Sequence, residues 1–175
     1  LYSTSLCQCL KLTNPNSGHR KLNTTSEERL NRLLGFLQSD PDNYPLLCEA
    51  GDLCLQLGDT VQARPLLEKA LNMQPEDLGA AYRMAILLFR EKDWESSLAL
   101  TQKILDAGQP HSAVRHQHAL TLMWLGRFDE AEPRLVALLE EQAVFADLPH
   151  LYIRTLHYLI KLEEATEVSN TYLQK

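Results

Sequence analysis

A register of 34 residues runs through most of this chain and restricts its fold more than any other feature of the sequence. From Tyr44 to Asp77 the order is an amphipathic run holding Gly51, a turn at Gly58-Asp59, a second run holding Ala63, Leu67 and Ala70, and a closing Pro75. Steps of 34 give further starts at 78, 112 and 146. Gly51 is then followed by Ala85, Ala119 and Ile153, and Ala63 by Ser97, Ala131 and Ala165. The turns GDTVQA, KDWESS, GRFDEA and IKLEEA align without a gap. A period in this range marks a stack of units, none of which buries its apolar faces alone.

Each unit reads as two antiparallel helices, spanning about 45–57 and 61–73 in the first. Gly58 suits the positive-φ residue that ends one helix, and Asp59 or Thr60 the cap that starts the next. Pro75 cannot continue the second helix. Gly51, Ala63 and Ala70 allow close helix approach, while Leu47, Leu67 and Leu71 fill the space between layers. Ahead of the array, Thr25 and Glu28 have capping-box spacing, and Leu30, Leu33, Leu34 and Leu37 share one helical face. A packing helix is expected over 26–39, with 1–24 poorly structured.

With these small, apolar and Pro positions, the chain resembles the tetratricopeptide repeat. Units 44–77, 78–111 and 112–145 carry the pattern with decreasing fidelity, and 146–175 is partial. The resemblance implies an all-α fold, a right-handed superhelical solenoid of antiparallel helix pairs, and a concave groove lined by the first helix of each pair. Carried onto this sequence, the groove positions hold Cys48, Tyr82, His116 and His150; Asp52, Ile86, Leu120 and Arg154; Leu55, Phe89, Met123 and His157; and Gln56, Arg90, Trp124 and Tyr158. From these the partner-binding residues are expected to be Tyr82, Arg83, Arg90, His116, Trp124, Arg154 and Tyr158, because Trp, Tyr and Arg are the usual interface anchors. Phe89, Leu120 and Met123 are equally read as packing between helices. The family's clamp for chaperone C-termini needs Lys and Asn where this chain has Cys48, Asp52, Arg83, Ala113 and Gln117, so that ligand is not expected.

Composition narrows the function further. The 17 basic and 23 acidic residues leave a net charge of −6, which argues against general nucleic-acid binding. All the acids lie from Glu27 onward with 14 of the basic residues, so that part carries −9. The longest apolar run, Met84 to Phe89, is six residues, far short of a membrane span. No Gly-rich phosphate loop or G-x-S-x-G elbow is present, and the carboxylate pairs Glu140-Glu141 and Glu163-Glu164 read as solvated charge. No enzyme activity is expected. His116, His150 and His157 share the expected groove, but without further ligands they read as structural rather than as a metal site, and no cofactor is expected. Cys48 and Cys54 are too far apart along one helix for a disulfide, and Cys7-Gln8-Cys9 lacks a partner cluster, so a reducing cytoplasmic setting is expected.

The expected function is a non-catalytic scaffold or adaptor holding a peptide or helix in the groove. A repeat domain of a larger enzyme and a small bacterial secretion-type chaperone are the alternatives. The last helix, expected over about 163–174, mixes polar Thr166, Ser169 and Asn170 with apolar Val168, Tyr172 and Leu173. It serves as a cap, as a self-association surface, or as the junction to further repeats. The last is favoured, because the chain stops four residues short of a full unit.

Overall fold

A computed structural model describes residues 19–108, 111–159 and 162–172, with side chains over 25–108, 111–159 and 165–171. Nine helices and no strand occur among them: α1 (His19–Ser39), α2 (Tyr44–Leu57), α3 (Thr60–Met73), α4 (Leu78–Arg90), α5 (Trp94–Asp106), α6 (Ser112–Trp124), α7 (Phe128–Glu140), α8 (Leu148–Tyr158) and α9 (Leu162–Tyr172). The second helices begin at 60, 94, 128 and 162, each 34 residues after the last. The first helices hold the same spacing from 44 to 78 to 112, and then α8 starts at 148, two residues beyond the register.

Local chemistry sets these boundaries. Asn43, Asp59, Asp77 and Asp93 each accept a backbone N–H from the first turn of the helix that follows. Gly58, at φ 80°, closes α2 in the left-handed conformation that its missing Cβ permits. The leucines expected on one face behave accordingly, with Leu30, Leu33 and Leu37 buried and Leu34 packed beside them. The helix that carries them begins at His19, seven residues before the expected start, so Thr25 and Glu28 lie inside it rather than at its cap. Residues 19–24 hold no Gly or Pro, and a helix anchored by its leucine face propagates readily through such a segment. Residues 1–18, and with them Cys7 and Cys9, lie outside the described residues.

The helices pack in chain order, each on the next. In addition α2 touches α4, α4 touches α6, and α6 touches α8, whereas α3, α5, α7 and α9 make no such contacts with one another. An array whose first helices crowd while its second helices splay apart must curve, with the first helices inside. The fold is a superhelical solenoid of helix pairs.

Two apolar clusters fill the stack. One joins α1 to α4 around Leu47, Cys54, Leu67 and Leu87, and the other joins α5 to α8 around Leu122, Leu135, Leu138 and Leu148. Ala81, Ile104 and Val114 form a smaller cluster between α4, α5 and α6. Buried polar groups sit at the junction of the two large clusters. Ser97 Oγ donates to the Ala85 carbonyl at 2.8 Å, and Thr101 Oγ1 lies 2.9 Å from His118 Nδ1.

Candidate partner-binding surface

The inner helices divide the expected binding residues into two groups. Tyr82, Arg83 and His116 occupy the first half of α4 and α6, and each is engaged with a neighbouring helix or loop. Tyr82 donates its hydroxyl to the Ala113 carbonyl at 3.3 Å, and burial raises its pKa. Arg83 Nε stands 2.8 Å from Asp52 Oδ2 on α2, so the acid that disfavours the chaperone clamp is neutralised by the next unit. Nearby Asp77, the α4 cap, is held below the usual carboxylate range by the Tyr44 hydroxyl and the Ala80 N–H, with the Arg83 charge adding to them.

His116 is covered by the loop between α7 and α8. Its ring stacks on Phe145 at 4.3 Å, and Nε2 lies 3.0 Å from Asp147 Oδ1. This loop spans 141–147, longer than 74–77 or 107–111, and the extra length brings Phe145 and Asp147 back over α6.

Arg90, Trp124 and Tyr158 form the second group, at the C-terminal ends of α4, α6 and α8. They occupy one position of the 34-residue register, and each reaches back onto the preceding unit. Arg90 donates to the Leu55 carbonyl. Trp124 stacks on Trp94 with centroids 5.5 Å apart and meets Phe89 edge-on at 6.4 Å. Tyr158 stacks on Phe128 at 4.3 Å. Trp124 stays 43% exposed and Tyr158 47%, so these stacks form a half-open aromatic edge beside the turns. Arg154 lies half-buried on α8, one turn before Tyr158. Of the more ambiguous positions, Leu55 and Met123 are buried in the core, Phe89 and Leu120 are half-buried, and Cys48 is sealed against α1 and α4 rather than open.

A cavity of about 290 Å³ opens between the N-terminal ends of α4 and α6, lined by Leu78, Gly79, Tyr82, Ile104, His111, Ala113 and Val114. Only Tyr82 of this set stands among the residues expected from sequence. Trp94 and Phe128 were also missed, although they lie 34 residues apart and a reading of that position would have found them. No cluster of three or more metal-binding side chains occurs among the described residues, and none of their helices is long and apolar enough to cross a membrane.

Residues 55–120 match the tetratricopeptide-repeat family model. No curated protein sequence matches the chain significantly. Among solved structures, a tetratricopeptide repeat protein from Parabacteroides merdae superposes with a TM-score of 0.67 at 18% identity, over 84% of this chain and 57% of its own. The chain thus spans little more than half of that relative. MamA from Desulfovibrio magneticus, solved from residue 41 onward, superposes with a TM-score of 0.75 at 15% identity, over 89% of this chain and 91% of its own. At such identities the likeness speaks for the fold alone. With the 34-residue register and the family match over residues 55–120, it gives this chain the tetratricopeptide-repeat fold.

Proposed function

We propose that the chain is a non-catalytic protein-interaction module whose inner face, from α4 to α8, receives an extended peptide or an amphipathic helix. The observation that carries this reading is the apolar cavity beside Tyr82. It sits between two inner helices and has the size and lining to take one apolar side chain of a partner. Elsewhere on the inner face, Arg83, Arg90, His116 and Arg154 would supply polar contacts, and Trp124 and Tyr158 an aromatic edge at the far ends of α6 and α8. Peptide recognition of this kind seats a few apolar anchors in pockets and surrounds them with polar contacts. Cys48 and Cys54 are buried free thiols, which suits a reducing cytoplasmic setting.

Selection of binders from a random peptide library, followed by amide chemical-shift mapping, tests the reading. Shifts are expected at Gly79, Tyr82, His111 and Val114. Ala113→Leu, which fills the cavity without removing an interhelix hydrogen bond, is expected to weaken binding at least tenfold. Peptides that shift only residues of α3, α5 or α7, or that bind Ala113→Leu as well as the parent, would dismiss the inner face as the docking site.

A further inference from the structure

A second cavity, of about 240 Å³, lies between α5 and α7, two helices outside the inner row, and its wall includes Glu95, Gln102, His118, Arg127, Glu130 and Arg134. His118 is only 2% exposed, and its Nδ1 is taken by Thr101. The other ring nitrogen, Nε2, has no hydrogen-bond partner among the described residues and is not sealed from solvent. A buried imidazole thus turns one unpaired polar atom toward a cavity.

The charges around it differ in how fully they are used. Arg127 is spent on Glu130, whose carboxylate it meets at 2.6 and 2.9 Å. Arg134 donates to the Glu130 main-chain carbonyl at 2.6 Å and has no ion pair among the described residues. The Thr101 hydroxyl lies within reach of the Ser97 and Leu98 carbonyls as well as His118 Nδ1. When it turns its proton to Nδ1, Nε2 carries the ring proton and becomes a donor into the cavity.

We propose that this cavity is a small-oxyanion site, in which a carboxylate or phosphate group accepts from the Arg134 guanidinium and from His118 Nε2–H. Arg–oxyanion pairs are geometrically strong, and a low-dielectric floor strengthens the second bond. The groups that bear on His118 are Arg127, Arg134 and Glu130 from α7 and Asp106 from α5, with Glu95 on the rim. Burial first, then Arg134 and Arg127, push the imidazole down to about 4 in the empty site. A bound anion opposes all three effects, so binding and protonation of His118 reinforce each other.

The test is an NMR titration of the imidazole nitrogens with inorganic phosphate and, separately, acetate, at pH 6 and constant ionic strength. A saturable change is expected at His118 and not at His150 or His157, and pH titrations with and without the anion are expected to show the His118 pKa raised by at least about one unit, equivalent to tenfold tighter binding by the protonated ring. The probe that saturates at lower concentration identifies phosphate or carboxylate as the preferred group. Arg134→Gln, in the cavity wall, is expected to keep the fold by circular dichroism and to abolish saturation, and Arg134→Lys to retain part of it. Glu95→Gln removes a repelling charge and tightens binding. A linear drift shared by all the histidines, unaltered titration in Arg134→Gln, or no response to either anion would each overturn the site and leave the cavity holding water.

Discussion

Gly51 faces α3 so closely that a Cβ built on it would stand 2.4 Å from Leu67 Cδ2 and 2.9 Å from its Cγ. Leu67 is fully buried and cannot swing away freely, so the contact limits the spacing of α2 and α3. Gly51→Ala is expected to destabilise the protein by about 1–3 kcal/mol, as overpacking does, despite its gain in helix propensity. A urea midpoint equal to or above the parent's would show that the helices can part at little cost. His118 acts at the same scale through protons. Its folded pKa of about 4 lies below the ordinary imidazole value of 6.5, so the unfolded chain takes up a proton first as pH falls. The stability it contributes is complete above about pH 6.5 and is lost as pH drops toward 4. Its full extent is roughly 3 kcal/mol if no anion occupies the neighbouring cavity. His118→Gln is expected to flatten the stability profile across that window. An unaltered slope in urea melts at pH 7, 5.5 and 4.5 would assign the acid sensitivity to other groups.

Caps decide how well each helix is defined, and they fade along the array. Asn43 and Asp77 cap α2 and α4, but His111, in the matching place before α6, makes no side-chain cap bond. Arg127 similarly stands where Asp59 and Asp93 cap α3 and α5. The His111 backbone, at φ −60° and ψ 131°, already has the extended conformation a cap requires. His111→Asp is therefore expected to raise stability by about 1 kcal/mol, and a thermal midpoint that fails to rise would show that the α6 N-terminus is satisfied in another way. These details explain what was legible in advance. Helix placement followed from small residues, turn residues and period, all of which act within a unit and leave their mark on neighbouring positions. The aromatic stacks, the Asp52–Arg83 pair and the folding of Phe145 over His116 depend on how far one unit rotates on the next. That rotation arises from packing across the interface, and no single unit encodes it. The α1 start was misplaced for a related reason: a capping-box spacing also fits inside a longer helix.

At the scale of the whole molecule, stability in such an array is the sum of unit and interface contributions, and the outermost described helices, α1 and α9, each pack on one described neighbour. Here the two ends are unequal. α1 buries three leucines against α2 and extends the first apolar cluster, which is continuous through α4 and well capped. Among the described residues α9 packs on α8 alone, and α8 follows the long 141–147 loop that displaces it from the register. Between these halves the junction relies on Ser97, Thr101 and His118, whose hydrogen bonds hold only while the helices keep close register, because their loss would strand buried polar atoms. Opening should therefore begin at α9, spread through α8 and α7, and meet its main resistance at α4. Native-state hydrogen exchange is expected to give α9 amides the weakest protection and α2 to α4 the strongest, with α6 and α7 between them. Lowering the pH toward 4.5 should widen the gap, since protonation pressure on His118 bears on the junction and not on the first cluster. Uniform protection from α1 to α9 would mean that the junction transmits stability as well as an apolar interface does, and the chain would then open as one cooperative unit.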